Sequence, residues 1–285
     1  MIELPETYVL SEQVNQAITG KVIKNALANA HPHGFAWYTG DPAGYNAFLA
    51  GKKVTSSPAP GTGYTCGGVE IVCEDMLLVI STPIKYHEPG GKLPKSHQLL
   101  IEFEDSSHLS CTVQMWGMMC LYPMYENGRL KKRICDRCET CHKGEDPNPM
   151  SDAFDKEYFD GLWEKAKPSI SAKAFLATEQ RIPGLGNGVL QDILFNARIH
   201  PKHKLEALSE AKKELMFNSV KSTMTAMKAQ GGRDTERDLY GNKGGYKTIL
   251  SANTLKGPCP ICGTALVREA YLGGNIYFCP FCQPL

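Results

Sequence analysis

The chain has 285 residues, 42% of them hydrophobic and 21% charged, with a formal net charge of +1. That length suits one or two domains of roughly 150 residues, and the composition excludes a disordered chain. No apolar run reaches the ~18 residues of a membrane span, and residues 1–29 lack the apolar core of an export signal. The expected location is therefore cytoplasmic. The near-neutral total also conceals an asymmetry: residues 1–150 carry −3, residues 151–200 carry −1 and residues 201–285 carry +5. An anionic partner is expected to dock on the C-terminal third.

Val9, Leu10, Val14 and Ile18 recur at helical spacing, which predicts a helix over Leu4 to Ile18, ended by Gly20. From Lys21 to about Tyr125 the pattern changes to short β-like runs, "KVIKNAL", "GFAWYTG", "VEIVC", "MLLVIS", "HQLLIEFED" and "LSCTVQMWG". Many short strands at this spacing predict a β-sandwich or barrel. Residues 126–150 are polar and cysteine-rich and read as a linker. Ser151 or Asp152 is the expected N-cap of a helical region. That region continues through Phe159–Lys165, Ala172–Thr178, Gly188–Ala197 and one long helix over Leu205–Gln230. A Gly-rich charged loop, "GGRDTERDLYGNKGGYKT", follows it. The expected domains are 1–125, a linker at 126–150, a helical domain at 151–255 and a cysteine finger at 256–285. The fold class is α+β and multidomain.

The chain has 11 cysteines, an odd number with no export signal, which disfavours a disulfide framework and favours metal binding. Cys259-Pro-Ile-Cys262 and Cys279-Pro-Phe-Cys282 are two knuckles separated by sixteen residues. The run between them predicts a β-hairpin turning at "LGGN". Four thiolates in tetrahedral array select one structural Zn²⁺ per chain and leave no open position for catalytic water. Cys135, Cys138, Cys141 and His142 either hold a second metal or are incidental. Cys66, Cys73, Cys111 and Cys120 fall in apolar runs and are expected in the core.

The glycines of "IPGLGNGVLQDILFNARIHP" predict a tight turn opening a helix at Asn187, a geometry that suits an anion. This block resembles the helix–two-turn–helix element of the formamidopyrimidine-DNA glycosylase and endonuclease VIII family. Three further matches fall in that family's order: Glu3-Leu4-Pro5-Glu6 at the start, "DPNPMSDAFD" as the linker, and the four-cysteine hairpin ending "CPFCQ".

The resemblance implies an N-terminal helix on a β-sandwich, a helical helix–two-turn–helix domain and a C-terminal zinc-ribbon hairpin, with DNA in the cleft between. It implies a base-excision repair DNA glycosylase acting on oxidised bases or abasic sites, with AP-lyase strand cleavage. The partner would be double-stranded damaged DNA, its lesion flipped into a pocket. The chain would act as a monomer without a membrane or a small-molecule cofactor. Asn187 and the amides at Gly186 would hold a phosphate. The family's nucleophile is an N-terminal proline amine that forms a Schiff base, with the adjacent Glu shuttling protons; here these positions are Ile2 and Glu3.

The sequence departs from that pattern at three places. Position 2 is Ile, whose bulk disfavours removal of Met1, so an amine at Ile2 is expected to be blocked. Gly68 stands near the family's strand lysine, with Lys52 and Lys53 too early to replace it. Gly274 stands where the family has its finger arginine, and Arg268 is the candidate substitute. Met115, Trp116 or Met118 can wedge DNA, although core packing is expected for at least two of them. Glu3 either activates water for direct base hydrolysis or caps the first helix. The competing readings are a catalytically silent damaged-DNA-binding protein and a new site built on the Cys135–His142 cluster.

Overall fold

The structure, a computed structural model, describes residues 2–60, 68–131, 147–179 and 181–285. Met1, Cys66 and the Cys135–His142 cluster lie outside the described residues. The chain forms two compact units. One comprises Met1–Asp146 with Arg237–Lys243, and the other Pro147–Glu236 with Gly244–Leu285.

The first unit opens with α1 (Leu4–Ile18), where a proline in the first turn presets the helical backbone. Leu10, Val14 and Ile18 form its buried stripe. There follow β1 (Ile23–Ala28), β2 (Ala36–Trp37), the short α2 (Tyr45–Leu49), β3 (Val54–Ser56), β4 (Val69–Cys73), β5 (Met76–Ile80), β6 (Ile84–His87), β7 (Leu99–Phe103), β8 (His108–Cys111) and β9 (Gly117–Pro123). A small hairpin, β10 (Tyr125–Glu126) with β11 (Arg129–Leu130), extends into the expected linker. Four strands pair in the order β1-β7-β8-β6 and five in the order β2-β9-β5-β4-β3. All pairs are antiparallel except β2 with β9.

Ile71, Leu78, Leu99, Ile101 and Leu109 share one core with the stripe of α1. Val72, Leu77, Val79, Cys120 and Tyr122 form a second cluster. β4 and β5 are therefore buried on both faces, which is why they read as unbroken apolar runs. Cys73, Cys111 and Cys120 lie in these cores. Met115 and Trp116 do not: they are 75% and 40% exposed in the bend between β8 and β9. The apolar pattern of "TVQMWG" spans a turn, where alternation no longer points side chains inward. Gly117 lets β9 start there, since a Cβ on it would lie 2.6 Å from the Cβ of Thr82.

The charged loop after α5 contributes to this unit. Leu239 is fully buried in the sandwich core. The Tyr86 N–H donates to the Leu239 carbonyl at 2.9 Å, and the Leu239 N–H donates to Gln13 Oε1 at 2.9 Å. Asp238 accepts from Gln13 Nε2 and from the N–H groups of Tyr240 and Asn242. Leu239→Ala is expected to cost about 2–5 kcal/mol, read as a lower midpoint of the sandwich transition in urea.

The second unit contains α3 (Lys156–Glu164), a π-helical turn at Ala174–Thr178, α4 (Asn187–Asn196), α5 (Glu210–Ala229) and the hairpin β12 (Val267–Tyr271) with β13 (Gly274–Phe278). Three local expectations need correction. The N-cap of α3 is Asp155, which accepts from the Tyr158 N–H at 2.8 Å, not Ser151 or Asp152. Burial of Phe154 against Phe159 and Phe217 fixes the chain so that Asp155 reaches the helix end. The expected helix over 205–230 begins only at Glu210, because Leu208 is extended and Ser209 caps α5 through the Lys212 N–H. The hairpin turn is the two residues Leu272 and Gly273, both at positive φ, while Gly274 and Asn275 already belong to β13.

Candidate nucleic-acid interface and metal cluster

The second unit brings the hairpin against the start of α4 through backbone groups. Gln191, buried on α4, accepts from the Tyr277 N–H at 2.9 Å and donates Nε2 to the Asn275 carbonyl at 3.2 Å. It acts as one more rung on the edge of β13. Asn187, the first residue of α4, donates Nδ2 to the same Asn275 carbonyl at 2.9 Å. Its Oδ1 is enclosed and makes no hydrogen bond. Gly186 is the N-cap, extended and buried. Gly184, at φ +70°, makes the turn before it.

Arg268 lies opposite Tyr277 on the hairpin. Antiparallel partners share a face, so Arg268 points away from the face bearing Tyr271, Gly274 and Phe278. It is exposed and is not brought to Asn187. The cation beside Asn187 is Lys173. A Cβ on Gly274 would lie 3.5 Å from both Lys173 Nζ and Asn187 Nδ2. The sequence reading missed Lys173, although a lone lysine in the apolar run "SAKAFLA" was the available signal.

The four thiols of Cys259, Cys262, Cys279 and Cys282 lie within 4.8 Å of one another. Sγ–Sγ separations are 3.8 Å for Cys259–Cys282 and 3.4 Å for Cys262–Cys279. A tetrahedron of ~2.3 Å Zn–S bonds has edges of about 3.8 Å, so the donor set fits a metal ion. Hydrogen bonding with Thr264 holds the Cys262 thiol down at about 6, while burial pushes Cys282 up to about 12. Gln283, fully buried, accepts from the Cys279 N–H and donates to the Ile199 carbonyl, which ties the knuckle to the end of α4. Asp192 secures the approach to the finger by accepting from the N–H groups of Ile249 and Leu250.

In the first unit, Glu3 is the N-cap residue of α1 without a capping side-chain bond, and it is only 8% exposed. Its backbone carbonyl accepts from the N–H and hydroxyl of Thr7. Glu6, also buried, lies one turn on. The Ile2 nitrogen donates to the Ser81 carbonyl at 3.0 Å, and the Ile2 side chain packs on the sandwich core. Gly68 has no room for a lysine, since a Cβ there would lie 2.7 Å from the Ile80 carbonyl oxygen. Lys52 is paired with Asp75.

Residues 145–237 match the formamidopyrimidine-DNA glycosylase H2TH domain. A formamidopyrimidine-DNA glycosylase of Corynebacterium glutamicum is 33% identical over 303 residues, covering 99% of each chain. Another, from Oceanobacillus iheyensis, is 26% identical and covers 100% of this chain and 98% of its own. The fold is similar to the crystal structure of MutM (Fpg) from Thermus thermophilus, with a TM-score of 0.75 at 20% identity over 99% of this chain and 98% of that one. It is also similar to Lactococcus lactis Fpg in complex with abasic-site DNA, with a TM-score of 0.77 at 20% identity over 99% and 100%. The chain belongs to the formamidopyrimidine-DNA glycosylase family. Among the described residues no helix is long and apolar enough to cross a membrane.

Proposed function

We propose that this chain is a DNA glycosylase of base-excision repair, which releases oxidised bases from duplex DNA. The reading is carried by the seating of Asn187 on the hairpin carbonyl of Asn275, in a unit that also holds a four-cysteine cluster, in a chain of this family. Asn187 and the Gly186 turn bind a backbone phosphate. The four cysteines hold one Zn²⁺, which fixes the hairpin and supplies no chemistry.

Glu3 activates water for attack on the glycosidic carbon, and base release follows without an imine. The Ile2 nitrogen donates to the Ser81 carbonyl and the Ile2 side chain packs on the sandwich core, which supports a route through Glu3 in place of an amine at this position.

The test presents the pure protein with duplexes holding an oxidised purine, an oxidised pyrimidine or an abasic site. Free base is followed by chromatography, strand breaks on gels and imines by borohydride trapping. Base release without a trapped adduct is expected. A trapped adduct refutes the water mechanism and restores amine chemistry with AP-lyase cleavage. Lesion binding without any base release supports the silent damaged-DNA-binding reading, which the loss of proline at position 2 favours. Native mass spectrometry counts the metal: one zinc is expected, and two would assign the second to the Cys135–His142 cluster.

A further inference from the structure

The helix that carries Glu3 is held by a side chain whose partners lie at the far end of the sequence. Gln13 is half-buried on α1. Its Nε2 donates to Asp238 Oδ2 at 3.1 Å, and its Oε1 accepts from the Leu239 N–H at 2.9 Å. Both ends of the amide are thus engaged, by residues 225 and 226 positions away. All three residues belong to the first unit. The partners are themselves fixed. Leu239 buries its side chain in the sandwich core, and its carbonyl accepts from the Tyr86 N–H on β6. Asp238 also accepts from the N–H groups of Tyr240 and Asn242 and from Asn242 Nδ2. Burial opposes its charge, but these donors and Gln13 outweigh it and hold its carboxyl below the usual carboxylate range. Gln13 therefore bonds to an ionised group, which gives a stronger hold than a neutral pair.

The apolar stripe of α1 does not set the orientation of the helix alone. Hydrophobic burial is non-directional, so Leu10, Val14 and Ile18 turn one face inward yet tolerate small rolls about the axis. Gln13 and Asn15 flank Val14, about 100° to either side of it. Asn15 accepts from the Ser57 N–H at 2.6 Å and donates to the Ser57 carbonyl at 2.5 Å. One flank of α1 is thereby pinned beside β3 and the other to the segment Arg237–Lys243. Hydrogen bonds weaken steeply when misaligned, so two such pins fix the roll of α1. The roll decides where the first turn presents Glu3. The Ile2 N–H on the Ser81 carbonyl is a single bond at the helix end and does not by itself fix it.

We propose that Gln13 is a positioning residue for Glu3. Held by Asp238 and Leu239, it sets the roll of α1 so that the Glu3 carboxylate stands where it takes a proton from the attacking water. The proposal rests on the water mechanism given above. Gln13 acts through the helix, and the segment Arg237–Lys243 is the brace it leans on.

The test measures single-turnover base release from whichever duplex, oxidised-purine or oxidised-pyrimidine, the parent protein processes faster. Affinity for an abasic-analogue duplex and the melting temperature are measured alongside. Gln13→Met keeps the length of the side chain and loses both bonds. Its rate is expected to fall about 10- to 100-fold, the scale of a displacement of up to about 1 Å at a reacting group, with affinity within a few-fold of the parent. Gln13→Glu sets a second carboxylate against Asp238 and should be as slow. Adding Asp238→Asn restores a donor and an acceptor across that pair and should recover most of the rate. In a Glu3→Gln background, Gln13→Met should cost nothing further, because the group it positions is gone. A Gln13→Met protein with the parent rate overturns the proposal. So does one whose slowing persists in full in the Glu3→Gln background, which would make Gln13 a purely structural residue. A Gln13→Glu, Asp238→Asn protein as slow as Gln13→Glu overturns it as well, and this pair decides if Gln13→Met does not fold. Glu3→Gln at the parent rate is a different result, which refutes the catalytic reading of Glu3 itself.

Discussion

Removing the metal with a chelator, or replacing Cys279 by serine, is expected to unfold the hairpin Val267–Phe278 and to weaken DNA binding roughly 100-fold or more. The hairpin is two-stranded, a size that is marginal on its own in water. Its own buried side chains are few, Ile276 and Phe278, and the knuckles beside it pack only Phe195 and Leu250 among buried residues against the cysteines themselves. Four sulfurs this close repel as thiolates and leave unfilled donors as thiols. In zinc-finger peptides a structural zinc contributes about 10–16 kcal/mol, far more than this apolar cluster supplies. Once the hairpin is lost, Asn187 loses its partner at Asn275 and Lys173 loses its partner at Tyr271. Loss of the phosphate contact proposed for Asn187, at ~1.5–3 kcal/mol for a hydrogen bond to a charged group, is of the size of that affinity change. The measurement pairs zinc content by native mass with anisotropy on a lesion duplex. A metal-free chain with unaltered affinity would show that the four-cysteine site does not support the interface.

Glu3→Gln should lower the rate of base release by about 10²–10⁴, the range of general acid–base catalysis, while leaving affinity for an abasic-analogue duplex within a few-fold. Glutamine keeps the size and polarity of the side chain but cannot take a proton from water. The residue is nearly buried, and a neutral side chain is less costly there than a carboxylate. Loss of stability is therefore not the expected reason for lost rate, and the melting temperature is the control. If Glu3 served only as a helix cap, stability would shift and the rate would not. Single-turnover kinetics on an oxidised-base duplex, with binding measured separately, distinguishes the two outcomes.

Features governed by local rules were legible in the sequence. The apolar period of Val9, Leu10, Val14 and Ile18 marked α1, and the two C-x₂-C knuckles marked the sulfur cluster. The strands of the sandwich were readable because their apolar runs are short and punctuated. Features that depend on distant pairing were not. Lys173 meets Tyr271 across 98 positions, and nothing near Lys173 in the chain announces that neighbour. Arg268 looked like the hairpin cation until the strand register placed it on the far face. The cap of α3 was misplaced because "SDAFD" offers three capping residues, and only the burial of Phe154 selects Asp155. The long helix was overextended because apolar spacing continues through Leu205 and Leu208, while the turn at Ser209 depends on one backbone angle.

The insertion of Leu239 into the sandwich core bears on the order in which the chain matures. The core of the first unit is incomplete until the segment Arg237–Lys243 is available. On a ribosome, which releases sequence from the N-terminus onward, most of the helical unit is therefore synthesised before the sandwich can close. A fragment ending near residue 150 would carry a cavity where Leu239 belongs. Leu239, the core residue of that segment, precedes Cys259, the first cysteine of the cluster, by only twenty positions. Completion of the sandwich and loading of the finger thus fall within the same short stretch of synthesis.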